Sequence, residues 1–172
     1  MATISDILTE SAGNWTLVPD RSQVVFRNKT LWGLATVTGR FTEFTGEGSA
    51  GAGINGQVVI AAASVQTGIA KRDNHLRSPD FFDVDAHPDI TLQVTGVVPS
   101  EAGATRLTAV LTVRGVSKSV EIPVDVQAVG DNTLRLTGQF EVQRDDFGVS
   151  GDLLGMVGPK TVLSGELVFT RE

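Results

Sequence analysis

Apolar and polar residues alternate with a period of two along most of the chain. Between Arg106 and Arg114, Leu107, Ala109, Leu111 and Val113 share one face, while Arg106, Thr108, Thr112 and Arg114 line the other. From Val120 to Ala128 the even positions are apolar, and the odd ones are Glu121, Pro123, Asp125 and Gln127. From Leu134 to Gln143, Leu134, Leu136, Phe140 and Val142 oppose Arg135, Thr137, Gln139, Glu141 and Gln143. Extended chain sends successive side chains to opposite sides, so each stretch predicts a strand with one dry and one wet face. Less regular alternation around Val24–Phe26, Ala35–Phe41, Ile90–Gly96 and Leu163–Phe169 adds further strands. The phase slips by one between Phe41 and Phe44, which predicts a bulge. The run QVVIAAASV (57–65) is apolar on both sides and reads as a strand covered on both faces. Pro123, on a wet face and without an N–H, points to an edge or a bulge.

Eight or nine strands joined by short turns make an antiparallel meander, folded as a sandwich or closed as a barrel. Residues 67–89, TGIAKRDNHLRSPDFFDVDAHPD, interrupt it with charge and aromatics but no alternation. Within them Asp73–Arg77 predicts a short helix stopped by Ser78-Pro79, since a residue before proline avoids helical geometry. Residues 1–14 read as an N-terminal extension, with Ser5 placed to cap a helix over Asp6–Thr9. Residues 15–172 read as one domain, with no repeat or linker.

Composition sharpens the interior. Small residues recur among the inward candidates Ala35, Gly39, Ala109, Ala128 and Gly165. A sandwich fills its centre at crystal-like density, whereas a barrel of about eight strands can hold one small ligand. The inward sets contain no carboxylate, histidine or lysine, so a ligand for that space would be a hydrocarbon. A filled β core remains the alternative. The net charge of −6 argues against a nucleic-acid partner. The longest apolar run, Val58–Ala63, is too short to cross a bilayer. With no cysteine, disulfides and thiolate chemistry are excluded. The first fifteen residues hold Asp6 and Glu10 but no lysine or arginine, unlike a secretory signal. Together these predict a cytoplasmic protein.

The candidate chemistry lies in the interrupting segment. Arg72, Asp73, Arg77, Asp80, Asp83 and Asp85 read either as a polar mouth for a ligand head group or as a salt-bridged lid. His75 and His87, with Asp73, Asp85 and Asp89, read as surface or hydrogen-bonding groups, or as a metal or acid–base set. Phe81 and Phe82 read as an anchor over the barrel mouth, and Trp32 as a gate or a packing residue. Asp145 and Asp146 would point to opposite faces of a strand, so they cannot form a carboxylate pair. Ser22, Ser64 and Ser117 lack a nucleophile-elbow context.

From Trp15 onward the chain resembles the YceI-like family of lipocalin-like, polyisoprenoid-binding proteins. The resemblance is carried by WTLVPDRSQVVF (15–26), TGRFTEFTGEG (38–48) and SVQTGIAKRDNHLRSPDFFDVDAHPDITL (64–92). LTVRGVSKSV (111–120) and RDDFGV (144–149) complete it. It implies an all-β, eight-stranded antiparallel lipocalin-like barrel with a short helical segment near 70–88, often a homodimer. It also implies an isoprenoid or related long-chain lipid as partner, held without catalysis, cofactor or metal. Strand parity assigns Phe26, Val37, Phe41, Leu111, Phe140 and Leu163 to the ligand wall. The family's loop adds Leu76, Phe81 and Phe82. Two other readings stay open: an interaction domain with a filled barrel, and an enzyme using the His/Asp cluster.

Overall fold

The computed structural model describes residues 6, 9–99, 105–152 and 155–171. The Ser5 cap falls outside them. Eleven strands run β1 Gly13–Leu17, β2 Gln23–Thr30, β3 Ala35–Phe41, β4 Phe44–Ala50, β5 Ile54–Ala61, β6 Val65–Gln66, β7 Asp89–Pro99, β8 Thr105–Val113, β9 Val116–Gly130, β10 Thr133–Gln143 and β11 Lys160–Arg171. The α-helix α1 spans Ala70–Arg77.

Three wall strands are bent, so the eleven segments make eight. A 3-10 turn at Pro19–Arg21 separates β1 from β2, and another at Ala62–Ser64 separates β5 from β6. Between β3 and β4 only Thr42 and Glu43 intervene. All pairings are antiparallel, and the sheet runs β1-β4-β5-β7-β8-β9-β10-β11 before returning to β1 through Trp15↔Arg171 and Leu17↔Phe169. Meanwhile β2 lies between β11 and β3, through Leu163↔Phe26 and Phe26↔Gly39. The result is a closed eight-stranded barrel that carries α1. Closure disposes of most exposed strand edges.

The bends explain two departures from simple alternation. Phe41 and Phe44 are both buried because the chain turns a corner at Thr42–Glu43. The Ser64 hydroxyl holds that corner: it donates to the Ala61 carbonyl (2.7 Å) and accepts the Thr42 and Glu43 N–H groups (3.2 and 3.1 Å). The apolar run 57–65 is therefore not one doubly covered strand. It is a strand to Ala61, with Val58 and Ile60 buried and Val59 half-buried, followed by the corner. Removing the hydroxyl in Ser64→Ala is expected to cost about 1–2 kcal/mol. Thermal unfolding should then shift down by roughly 2–8 °C.

Pro123 marks the end of a ladder. Pairing between β9 and β10 stops at Gly138↔Val124, and proline, the next residue on β9, has no N–H to continue it. Ala128, inward by strand parity and paired with buried Leu134, is nonetheless exposed, because it lies close to the β9–β10 turn at the end of the barrel. Beyond Ala128 the register shifts between Leu134 and Thr133, so that Gly130 and not Val129 pairs with Thr133.

The two ends of the barrel differ. At one, Trp15 and Leu17 are buried, and the Trp15 indole N–H donates to the Ser11 carbonyl (2.7 Å). The Arg171 guanidinium lies 4.9 Å over the Trp15 ring and donates to the Glu10, Ala12 and Asp131 carbonyls. The other end gathers the β2–β3 hairpin, α1, the 78–88 connection, the β8–β9 turn and the long 144–159 connection.

Candidate functional site

The barrel encloses a cavity of about 400 Å³. All nine residues assigned to the wall from the sequence border it: Phe26 and Val37, Phe41, Leu76, Phe81 and Phe82, Leu111, Phe140 and Leu163. Its walls add Ile60, Ile90 and Leu92 and, deeper, Leu107, Ile122 and Leu136. Trp15 and Leu17 do not border it, so their end is filled. The charged or histidine residues on its border, Arg72, His75, Arg144 and Asp152, all come from α1 or the 144–159 connection. Apart from Ser164 the interior is apolar, and charge is confined to the mouth.

The inward glycines divide into two kinds. A Cβ at Gly39 would fall 2.3 Å from the Phe26 ring, so this glycine seats an aromatic side chain and opens no space. Gly165 and Gly138 pair directly on β11 and β10, at inward positions between Leu163 and Leu167 and between Leu136 and Phe140. A Cβ at Gly165 would meet nothing closer than 3.8 Å. Side-by-side glycines therefore leave a hollow half-way down the wall. Strand parity picked out Gly165, but the neighbour that doubles the hollow depends on the β10–β11 register.

Aromatic rings narrow the passage above it. Phe26 and Phe41 lie 5.6 Å apart between ring centres, and Phe82 sits edge-on to both at 6.5 and 5.8 Å. Such tilted and edge-to-face contacts suit the charge distribution of aromatic rings. Phe81 is buried beside the imidazole of His75, 5.1 Å away. Both phenylalanines of the pair thus line the cavity.

The charged cluster braces the segment over the mouth. Buried Asp73 accepts the Thr67 N–H (2.8 Å) and hydroxyl (2.5 Å). Arg72 donates to the same hydroxyl (2.7 Å) and to the Thr67 carbonyl (2.8 Å). Arg77 donates to the Ala63 and Val65 carbonyls, and so fastens α1 to the β5–β6 corner. Ser78 ends α1 by donating its hydroxyl to the His75 carbonyl, and Pro79 follows. The helix begins at Ala70, three residues before its sequence-based start, because the Thr67–Asp73 contact organises its first turn. Arg114 reaches from the β8–β9 turn to the Pro79 and Phe81 carbonyls.

The two histidines have separate contacts. His75 Nε2 lies 3.0 Å from Asp80 on an exposed surface, whereas the His87 ring packs against Gly115. Among the described residues, no group of three or more histidine, aspartate and glutamate side chains is placed to hold a metal ion. Asp145 and Asp146 lie in a 3-10 turn, Arg144–Phe147, and not in a strand; both are exposed. Trp32 is 65% exposed at the tip of the β2–β3 hairpin.

The residue that sequence reasoning passed over is Arg144. It is 8% exposed and donates to four backbone carbonyls: Gly158 (2.8 Å), Val149 (2.7 Å), Gly151 (2.8 Å) and Val157 (3.0 Å). One guanidinium thus draws together residues 149–151 and 157–158 of the connection that borders the mouth. Asn28, also unremarked, accepts the Thr161 hydroxyl (2.6 Å) and donates to the Gly158 carbonyl (3.1 Å). An arginine following a strand gives no signal that its partners are carbonyls up to fourteen residues away.

A family model described as the YceI-like domain matches residues 15–169. The chain belongs to the YceI-like family. Among curated YceI-like relatives, a UPF0312 protein of Pseudomonas aeruginosa (strain LESB58) is 32% identical over 139 residues, covering 76% of this chain and 72% of its own. A UPF0312 protein of Vibrio parahaemolyticus is 32% identical over 106 residues, 58% of this chain and 55% of its own. Two solved structures show the same fold. Burkholderia cenocepacia BcnA matches with a TM-score of 0.80 at 22% identity, over 88% of this chain and 98% of its own. A polyisoprenoid-binding domain from Saccharophagus degradans matches with a TM-score of 0.77 at 16% identity, over 92% and 98%.

Proposed function

We propose that this YceI-like barrel binds one long-chain apolar ligand, an isoprenoid or related lipid, and carries or sequesters it without chemical change. The observation that carries this reading is the cavity itself: about 400 Å³, apolar along its depth, with charge only at the mouth. Ligand pockets commonly measure roughly 300–1,000 Å³. A void of this size is many times the ~30 Å³ share of one water, so a filled barrel is disfavoured. A ten-carbon chain would gain about 8 kcal/mol gross from burial, at ~0.8 kcal/mol per methylene. Ordering and association costs offset part of that. The polyisoprenoid-binding domain of Saccharophagus degradans, built on the same fold, supports the ligand class. An acid–base or metal role for the histidine cluster gains no support from side chains that face different neighbours.

Titration with a fluorescent polyene fatty acid tests the reading. The native protein should saturate at one probe per barrel. Leu111, 3% exposed, borders the cavity, and in Leu111→Glu its replacement would set a carboxylate against the bound chain. Affinity should then fall by more than about tenfold, since burying an unpaired charge is costly. Undiminished binding by a folded Leu111→Glu protein would contradict the proposal.

A further inference from the structure

An apolar ligand held in a water-soluble barrel has to enter from an apolar phase, and the exposed side chains around the mouth suggest where that phase is met. Of the seven large hydrophobic residues exposed among the described residues, only Val98 and Val129 lie toward the filled end. The β2–β3 hairpin contributes three of the others: Leu31, Trp32 and Leu34 are 42, 65 and 87% exposed. Ile69, at 53%, immediately precedes α1.

The hairpin tip is built in an uncommon conformation. Leu31 and Trp32 have φ of +50° and +54°, and Gly33 has +90°. Left-handed geometry at two successive bulky residues is unfavourable, and such strained segments cluster at functional sites. This tip is continuous with the cavity, since Thr30 and Val37 of the same hairpin border it.

Charge falls into a matching pattern. The chain carries a net charge of −6, yet all four of its lysines, Lys29, Lys71, Lys118 and Lys160, are exposed on the mouth end. Lys29 and Lys71 stand two residues from Leu31 and Ile69, and the Gly158 N–H binds the Lys29 carbonyl, bringing the segment before Lys160 to the hairpin. Lys160 also meets Glu141 at 3.6 Å, with both side chains largely in water. The exposed aspartates 80, 85 and 89 belong to the other half of the rim, where Arg114 grips the Pro79 and Phe81 carbonyls beside β7 and β8. Asp145 and Asp146 follow β10. The hairpin side of the rim is therefore apolar with lysines beside it, while the β7–β8 side carries exposed Asp80, Asp85 and Asp89 together with Val116 and Lys118.

We infer that the β2–β3 tip is a membrane-docking element: Leu31, Trp32 and Leu34 enter the interface of an anionic bilayer, with Ile69 at the same end of the barrel and Lys29, Lys71 and Lys160 at the headgroups. The inference rests on the cavity being a lipid pocket, because docking by this edge would turn the mouth toward the bilayer. Tryptophan favours the headgroup boundary, and lysines there gain from anionic lipid while their stems lie along apolar surface. Exposed Asp80, Asp85 and Asp89, repelled by an anionic surface, would tilt the barrel with the hairpin leading.

Sedimentation with vesicles of phosphatidylcholine and phosphatidylglycerol in a 3:1 ratio, beside pure phosphatidylcholine, tests this. The native protein should bind the anionic vesicles more strongly, and its tryptophan emission should shift to the blue through Trp32, because Trp15 is already buried. Leu34→Asp should weaken binding by at least about tenfold, the scale set by losing one buried leucine. Val129→Asp, a control at the filled end, should bind as the native protein does. No vesicle binding, equal binding by both variants, or no preference for anionic lipid would overturn the inference. Organic extraction of the same preparations separates the two readings. Native protein that carries a chain but ignores vesicles overturns docking alone, whereas native protein that carries no chain removes its premise.

Discussion

Replacing Gly165 with leucine is expected to empty the barrel of ligand while leaving it folded. The position is inward, between Leu163 and Leu167, and opposite Gly138 on the neighbouring strand. Its backbone is not among those with positive φ, and a Cβ there would find no atom within 3.7 Å, the nearest being the Gln23 carbonyl and Leu167 Cγ at 3.8 Å. A Cβ can therefore be added without a clash, and the rest of a leucine side chain would extend into the hollow that the two glycines leave. Cavity filling, together with relief of a glycine inside a strand, commonly stabilises by about 0.5–2 kcal/mol. The melting temperature should hold or rise by a few degrees, roughly 2–8 °C at most. Ligand retention should fall at least about tenfold, since methylenes displaced from the pocket return ~0.8 kcal/mol each to water. Gly138 is the instructive contrast. A Cβ there would press on the Pro123 carbonyl and the Val124 and Ile122 methyl groups at 3.1–3.3 Å, so Gly138→Leu would disturb the wall as well as fill the cavity. Gly165→Leu isolates occupancy from stability, which few interior substitutions do.

Arg144→Met should have the largest effect on stability. Methionine keeps much of the aliphatic stem but removes every donor, leaving the carbonyls of Val149, Gly151, Val157 and Gly158 without the guanidinium that gathers them. Hydrogen bonds to charged groups contribute about 1.5–3 kcal/mol each, although several on one side chain do not add in full. A loss of about 3–5 kcal/mol is expected, seen as a melting temperature lower by roughly 6–20 °C. Because Arg144, Phe147, Val149 and Val157 all border the cavity, hydrogen exchange should rise first along the 144–159 connection. Unchanged protection there would show that the connection is organised by other contacts.

Much of the barrel was legible in the chain because period-two alternation is a local property. Leu107 through Val113 are buried at every second position, as their spacing requires. The nine wall residues lie on the cavity for the same reason, or through the loop motif shared with the YceI-like family. What escaped is non-local. Gly138 meets Gly165 only once β10 and β11 are in register, and Gly39 closes space where its size suggested an opening, because the Phe26 ring lies across it. Arg144 and Arg114 act on backbone carbonyls, which carry no residue identity. The slip of phase after Phe41 was visible, but its cause, the Ser64 hydroxyl, came from a residue over twenty positions on.

The most direct test of the central claim is mass spectrometry of an organic extract from freshly purified native protein, run beside Gly165→Leu purified in parallel. Native protein should release a chain-like apolar compound of more than about 200 Da, close to one per barrel, consistent with a pocket in the common ligand range. The folded Gly165→Leu protein should release little of it. An equal yield from both would place the compound outside the barrel and contradict the account.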